Sequence, residues 1–477
     1  MSNPTSPSIP LRPAPLFEAV SRHAVTLGVD VHLVGGYVRD ALLGRPSLDA
    51  DLITAGDPAP LGRAIAQELK GHFVVLDPDF GVARVVLPGG GVLDLARMQG
   101  DTIEDDLSRR DLTVNAIALP LVVGGEALVD APLLDPTGGL SDLAARTVRA
   151  ISLENLVADP VRLIRVLRFA ATLDFAIAFE TLEWVETYKR KLLEAAYERT
   201  TAELLKILAL PDAYRWIERL FGLGVLGVLT PEFTMLRRIP VLEGRTLDGM
   251  AHALERTRRL EGLLKTLPTA WSAHAQAIRD DLATPLGGGA TRGDLLKLAA
   301  LLLDVGRPFT LAYTPDEALS FEGHAQEGAE RIGVIAERFK LSAKARDYLM
   351  KLVRYQEVPS ELDTLDPVAH YRLFRAAGES SAGLLLVALA DRAATLGWRD
   401  TAFEERLAHA LAGYFRADRA LVEPRRLLDG QGLMAALDLK PGKHIGVLLE
   451  RVLEAQLRGE IATRDEAIAL ARFLHQA

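Results

Sequence analysis

Two textures divide the chain. Up to about residue 150, short apolar runs alternate with clusters of Gly, Pro and Asp. Val31–Val34, Phe73–Leu76, Ala83–Leu87 and Val92–Leu95 are rich in Val and Leu. Runs of that kind bounded by turn residues predict strands. Val38–Leu43, just after the first run, predicts a short helix. Beyond about residue 150 the pattern changes to stretches rich in Ala, Leu, Arg and Glu, with apolar residues at helical spacing, as in Thr201–Leu208. The expected fold is therefore α+β, an N-terminal α/β head followed by an all-α neck, body and tail. The Gly- and Pro-rich stretch 282–293 reads as a loop inside the body.

At 477 residues the chain exceeds a single core, and length alone suggests about three domains. Hydrophobic and charged fractions of 49% and 25% are ordinary for a globular protein. No apolar run approaches the roughly 20 residues that a membrane helix needs, so no membrane partner is expected. Met1–Pro15 is rich in Pro and Ser, without a basic start or an apolar centre. It reads as a loose tail, not as a secretory signal. There are no cysteines, which excludes disulfides and thiolate metal sites, and a cytoplasmic location is the expectation. The net charge of −9 argues against a protein that coats nucleic acid nonspecifically. It leaves room for a local basic surface. Basic clusters occur at Lys189–Lys191, Arg256–Arg259 and Arg425–Arg426, each readable as a solvated helix face.

The candidate chemistry is concentrated near the start. Leu33-Val34-Gly35-Gly36-Tyr37-Val38-Arg39-Asp40 runs from a strand into a glycine turn and a helix. A second apolar stretch then carries Asp49-Ala50-Asp51-Leu52-Ile53. Residues two apart in a strand share a face, so Asp49 and Asp51 converge on one point. Two carboxylates that close repel unless a cation lies between them. A hard ion such as Mg²⁺, which arrives with substrate phosphates, suits the pair. Gly35 and Gly36 leave backbone amides open to a phosphate. Asp94, in the strand-like Val92–Leu95, is a candidate third carboxylate for a two-metal scheme. In the run 104–118, Arg110, Asp111 and Asn115 could bind triphosphate and ribose, because the guanidinium fork suits phosphate. In 158–170, Asp159 before Pro160 reads as a helix N-cap. Arg162, Arg165 and Arg168 recur every three residues as a slowly winding basic stripe.

Together these segments resemble the motifs of the class II tRNA nucleotidyltransferases and bacterial poly(A) polymerases, over residues 30–210 most closely. The resemblance implies a polymerase-β-like head and Mg²⁺-dependent addition of nucleotides to a tRNA 3′ end without a template. Asp49 and Asp51 would hold the metal and act as catalytic residues with Asp94. Gly35, Gly36, Arg39, Asp40 and Arg110 would meet the nucleotide, with Asp111 and Asn115 supporting the site. Asp159 and Arg162 would read the base, with Arg165 and Arg168 beside them. Ala158 departs from the family, which has Glu there. Asp135–Leu143 resembles a hinge motif with a structural role, and Tyr197–Leu204 resembles a stretch that orders helices under the pocket.

The implied organisation is a loose tail (1–25), a catalytic head (26–150), a helical neck (151–235), a degenerate HD-like domain (236–415) and a C-terminal helical tail (416–477). The partners implied are tRNA, CTP and possibly ATP. Many complete CCA-adding relatives carry a loop of about ten to twenty residues before the Arg-Arg-Asp motif. Here Arg97–Ile103 bridges that gap directly, which resembles the enzymes that add CC only. Complete CCA addition and poly(A) synthesis are the alternatives within the fold. Residues 295–308 resemble the core of an HD phosphohydrolase, with His252, His324 and Asp391 as neighbours of Asp304. Leu303 stands where that family has a metal-binding His, so little hydrolase activity is expected. A hydrolase with a vestigial head and a non-catalytic RNA-binding protein are the remaining rivals.

Overall fold

The computed structural model describes residues 9, 11–239, 248–316, 319–362, 366–416 and 421–476. They fall into two compact units, Met1–Ala196 and Tyr197–Ala477. The first is built on a mixed sheet whose strands are β1 (Val31–Val34), β2 (Ala50–Thr54), β3 (His72–Asp77), β4 (Val82–Val86), β5 (Val92–Arg97), β6 (Ala118–Val123) and β7 (Glu126–Ala127). Their order across the sheet is β3-β4-β5-β2-β1-β6-β7. The four runs expected as strands are all present. β2 and β5 pair in parallel, and the other neighbours are antiparallel. β1 lies inside the sheet and all four of its residues are buried, which is why it reads as an unbroken apolar run.

Helices cover the sheet. α1 is Ala14–Leu27, α2 is Gly36–Leu42 and α3 is Ala59–Leu69. Of the expected loose tail, residues 1–8 and 10 lie outside the described residues. Residues 14–25 belong instead to α1, which buries Leu16, Phe17, Val20 and Ala24. These recur at helical spacing, so the segment has an apolar stripe to bury, a signal hidden behind the Pro-rich start. α3 buries Leu61 and Ile65 and packs on β3 and β4. Gly62 makes the approach possible, because a Cβ there would come within 2.7 Å of the Phe73 ring.

The first unit continues past the boundary expected at residue 150. After α4 (Ile103–Ser108), α5 (Gly139–Ala144) and α6 (Leu153–Ala158), the helix α7 (Val161–Leu173) is flanked by two short strands. β8 (Thr147–Val148) and β9 (Ala176–Ile177) pair in parallel around it. Asp135 accepts from the amides of Gly139 and Leu140 at the start of α5. Asp142 on that helix is buried and accepts from the Thr113 hydroxyl and Arg149. Among its described residues the second unit is helical apart from two small two-stranded sheets, one of which pairs Pro285–Gly287 with Ala290–Thr291 inside the stretch expected as a loop.

Two findings in the second unit depart from expectation. Pro367–Leu396 is, by length and composition, apolar enough to cross a membrane, although no such run was expected. In its most apolar window 78% is buried inside the protein, and Gly378 interrupts it between Pro367–Ala377 and Ser381–Leu396. Those residues are core. Arg256, expected on a solvated face, is 0% exposed. Its guanidinium donates to the carboxylates of Asp304 and Asp391 and to the Ala300 carbonyl. His252 meets the same Asp391 at 3.1 Å. Three of the four polar residues expected around an HD centre, His252, Asp304 and Asp391, thus surround an arginine. His324 instead bonds the Phe321 carbonyl, and Leu303 is buried.

Burial alone would push the Asp304 carboxyl up, but the charges of Arg256 and Arg307 hold it far below the usual carboxylate range. Asp391 is likewise driven up by burial and pulled below its ordinary value by Arg256 and His252. Removing the cation leaves the two carboxylates with Arg307 and His252 as their remaining partners. Arg256→Met is expected to destabilise the protein by about 3–5 kcal/mol, read as a lower urea midpoint of the helical unit. An unchanged midpoint would contradict a structural role for this ion network.

Candidate active site

β1 ends at Val34, opposite Asp51 of β2. The chain then turns through Gly35 at φ +70° into α2. A side chain at Gly35 would be strained by that conformation. Its Cβ would also stand 3.0 Å from Asp51 Oδ2 and 3.4 Å from a terminal nitrogen of Arg110. The glycine turn, Asp51 and Arg110 therefore meet at one place.

The parallel register sets Asp51 directly beside Asp94. Asp49 precedes β2 and accepts from the Val92 amide at 3.1 Å. Asp51 is open to solvent at its edge but closely surrounded by protein. Burial pushes its carboxyl up; Arg110 and the Gly36 amide pull it down, and Asp94 and Asp49 push it up further. The net effect lies above the usual carboxylate range. Asp94 has its own counter-charge, because Arg84 donates to both of its oxygens at 2.7 and 2.8 Å.

Among the described residues no group of three or more His, Cys, Asp or Glu side chains is arranged to hold a metal ion. What remains is the pair Asp49 and Asp51, next to a turn with open amides. Their mutual repulsion suits a hard cation that completes its shell with water and phosphate oxygens. Arg84 was missed in the sequence. Counting outward from the turn 87–91 places it opposite Asp94, which was the available signal.

A second group of polar residues is tied together more tightly than the sequence suggested. Arg39 donates to Asn115 at 2.6 Å and to both oxygens of Asp40 at 2.9 Å. Asn115 donates to Asp111, and Asp111 accepts from Arg165 at 2.8 and 2.7 Å. Arg39, Asp111 and Asn115 are buried. Burial would raise the Asp111 carboxyl, but Arg165, Asn115 and Arg162 hold it below the usual range. The Arg39, Arg165 and Arg168 guanidinium groups all lie over the Phe169 ring, at 5.1, 5.2 and 3.4 Å. Arg39 and Arg165 are thus committed to neighbouring protein groups.

Arg110 lies between the two groups. Its guanidinium donates to the buried Asp106 at 3.2 and 3.0 Å, and Asp106 also accepts from the Gln99 amide. The link 97–103 is short and fixed, since Thr102 and Asp105 cap α4 reciprocally. Asn155 on α6, another residue missed in the sequence, donates to the carbonyls of Ser108 and Arg110. Arg162 donates to the carbonyls of Arg109 and Asn155 at 2.9 and 3.1 Å. Asp159 is not the N-cap of α7. Pro160 occupies that position without a side-chain cap, and Asp159 closes α6. Its carboxylate lies 4.0 Å from Arg162, drawn by opposite charge.

Comparison with known proteins agrees with this architecture. The chain matches the family described as the poly A polymerase head domain over residues 31–101 and 93–149. It matches the probable RNA and SrmB-binding site of polymerase A over 174–236. It is 34% identical over 455 residues to the CC-adding tRNA nucleotidyltransferase of Geobacter sulfurreducens, covering 95% of this chain and 93% of that protein. It is 36% identical over 450 residues to the A-adding tRNA nucleotidyltransferase of Deinococcus radiodurans, covering 92% and 94%. A solved CCA-adding enzyme in complex with ATP shares the fold at a TM-score of 0.67 and 22% identity, covering 97% of this chain and 95% of that one. With such identity across nearly its whole length, the chain belongs to the tRNA nucleotidyltransferase and poly(A) polymerase family, enzymes that transfer nucleotidyl groups to RNA.

Proposed function

We propose that this protein adds cytidine nucleotides, without a template, to the 3′ end of tRNA, using CTP and Mg²⁺ in the cytoplasm. The observation that carries the family's chemistry to this chain is the convergence of Gly35, Asp51 and Arg110. Asp49 and Asp51 would hold the cation, and Asp94 would add negative charge beside them, oriented by Arg84. When bound, the cation supplies Lewis-acid charge to the reacting phosphate and to the 3′ oxygen. Arg110 and the amides of the glycine turn receive the triphosphate, so that pyrophosphate departs from a positively charged surface. The 3′-hydroxyl attacks the α-phosphate, and positioning accounts for much of the rate.

Asp159 and Arg162 offer a carboxylate and a guanidinium to the Watson–Crick edge of the base. Arg162 is held by the Arg109 and Asn155 carbonyls, which supports a pocket of fixed size. The arginine chain through Asp111 and Asn115 positions these groups without touching substrate.

The short link 97–103, pinned by Asp106 and by the Thr102–Asp105 cap, favours CC addition. There is no long flexible segment here to reshape the pocket for a purine. The second reading is A addition, favoured by the 36% identity to the A-adding relative. Complete CCA addition and poly(A) synthesis are further outcomes of the same assay. With tRNA lacking its last three nucleotides, CTP and ATP together are expected to give two added cytidines and no adenosine. Adenosine added to tRNA ending in CC, with no cytidine incorporation, would replace this reading by the second.

Asp51→Asn is expected to lower kcat by about a thousandfold or more, the scale of losing a principal electrostatic group. The folded state disfavours the charged Asp51, so this variant without cation melts no lower than wild type. Cation binding needs the ionised carboxylate. Mg²⁺ affinity is therefore expected to weaken on acidification at a pH above that of an ordinary Asp, ~4, in titrations from pH 8 downwards. A midpoint at or below the ordinary value would contradict the crowding of these carboxylates.

A further inference from the structure

A cavity of 750 Å³ opens on another side of α2 from the Arg39–Asp40 pair. Its walls include Arg12, Pro13, Tyr37, Arg45, Pro46 and Leu48. Two of its residues adjoin the candidate active site in sequence: Tyr37 follows the glycine turn, and Leu48 precedes Asp49. Tyr37 and Ala41 line it from one side of α2, one helical turn apart. A helix with its side chains is about 10–12 Å across, so the cavity and the phosphate-facing turn are separated by a single helix.

The lining contains two arginines and no carboxylate. A surface with that charge selects an anion, and its flat walls, Pro13, Tyr37 and Pro46, suit sugar or base more than a bare ion. The backbone of Arg12 and the guanidinium of Arg45 are also held in place. The Tyr37 hydroxyl accepts from the Arg12 amide at 2.7 Å and donates to the Arg12 carbonyl at 2.9 Å. Tyr37 is itself buried against Phe17, ring edge to face at 5.2 Å. It fastens the segment bearing Arg12 to α2. Arg45 donates to the carbonyls of Thr172 and Leu173 at the end of α7, both at 3.4 Å. Those are long bonds, and a guanidinium has five N–H groups, so donors remain for a phosphate.

Resting on the proposed function, we propose that this cavity binds the phosphodiester backbone of the RNA just upstream of the reacting 3′-hydroxyl. Arg12 and Arg45 contact phosphate, and Tyr37 is a positioning residue for Arg12. The reaction must bring two polyanions to one pair of carboxylates. The glycine turn and Arg110 take the triphosphate, and this basic hollow beside Asp49 takes the other strand.

The test is steady-state extension of tRNA lacking its last three nucleotides, with KM measured separately for RNA and for CTP. Wild-type extension reads the proposed function; the ratio of variant to wild type reads this inference. Arg12→Ala and Arg45→Ala are each expected to raise the KM for RNA about five- to tenfold, and the double variant more, with the KM for CTP within twofold of wild type. Each should reduce the slope of log affinity against log salt by about 0.7, as for one lost single-strand phosphate contact. Tyr37→Phe should raise the RNA KM by about two- to threefold. Arg12 is exposed and makes no demand on the core, so Arg12→Ala and Arg12→Lys keep the test valid if Arg45 variants melt early. Restoration by Lys of most of the affinity supports a phosphate contact. An unchanged RNA KM and salt slope in Arg12→Ala, or a parallel rise in the CTP KM, would overturn the inference.

Discussion

A line of buried charge-assisted hydrogen bonds, Arg39 to Asn115 to Asp111 to Arg165, holds the catalytic half together. It joins α2, the turn after α4 and the helix α7, which are far apart in sequence. Each member would be costly to bury alone. Each is satisfied by the next, and three guanidinium groups share one aromatic surface at Phe169. Arg110 follows Ser108 and Arg109 into this assembly, so its position depends on the chain of bonds behind it. The groups nearest the reacting atoms are fewer than the polar residues in the motifs. The remainder bond to one another.

The sheet adds a second constraint. Because β2 and β5 run parallel in register, Asp51 and Asp94 are obliged to be neighbours. The fold therefore carries a standing electrostatic conflict at Asp51. Arg84 neutralises Asp94, while Asp51 faces Arg110 and the Gly36 amide and Asp49 accepts from the Val92 amide. Buried and crowded in this way, Asp51 is held above its ordinary pKa.

Much of this was legible in the chain. The strands announced themselves as Val- and Leu-rich runs, and the spacing of Asp49 and Asp51 marked them as candidates, although Asp49 lies just before β2. The motifs carried the family. What could not be read was pairing between distant side chains. Arg39 looked like a nucleotide ligand and Arg165 like part of an open basic stripe, because a sequence shows cations without showing which carboxylates face them. Arg256 looked like a surface charge for the same reason. Its Asp304 and Asp391 partners lie 48 and 135 residues away. The helix α1 escaped notice because a Pro-rich preface masked its apolar stripe, and Asp159 is not the cap of α7 because Pro160 takes that position and Asp159 ends α6.

The arginine at the centre of the helical unit has a consequence for how the two halves respond to their surroundings. A cation carried on a side chain is present at fixed stoichiometry and cannot be exchanged, chelated or diluted away. The cation proposed for Asp49 and Asp51, in contrast, would come from the medium. Depleting divalent ions would therefore switch off turnover while leaving the helical unit intact. The molecule would wait, fully folded, and resume work as soon as the ion returned, with no refolding step in between.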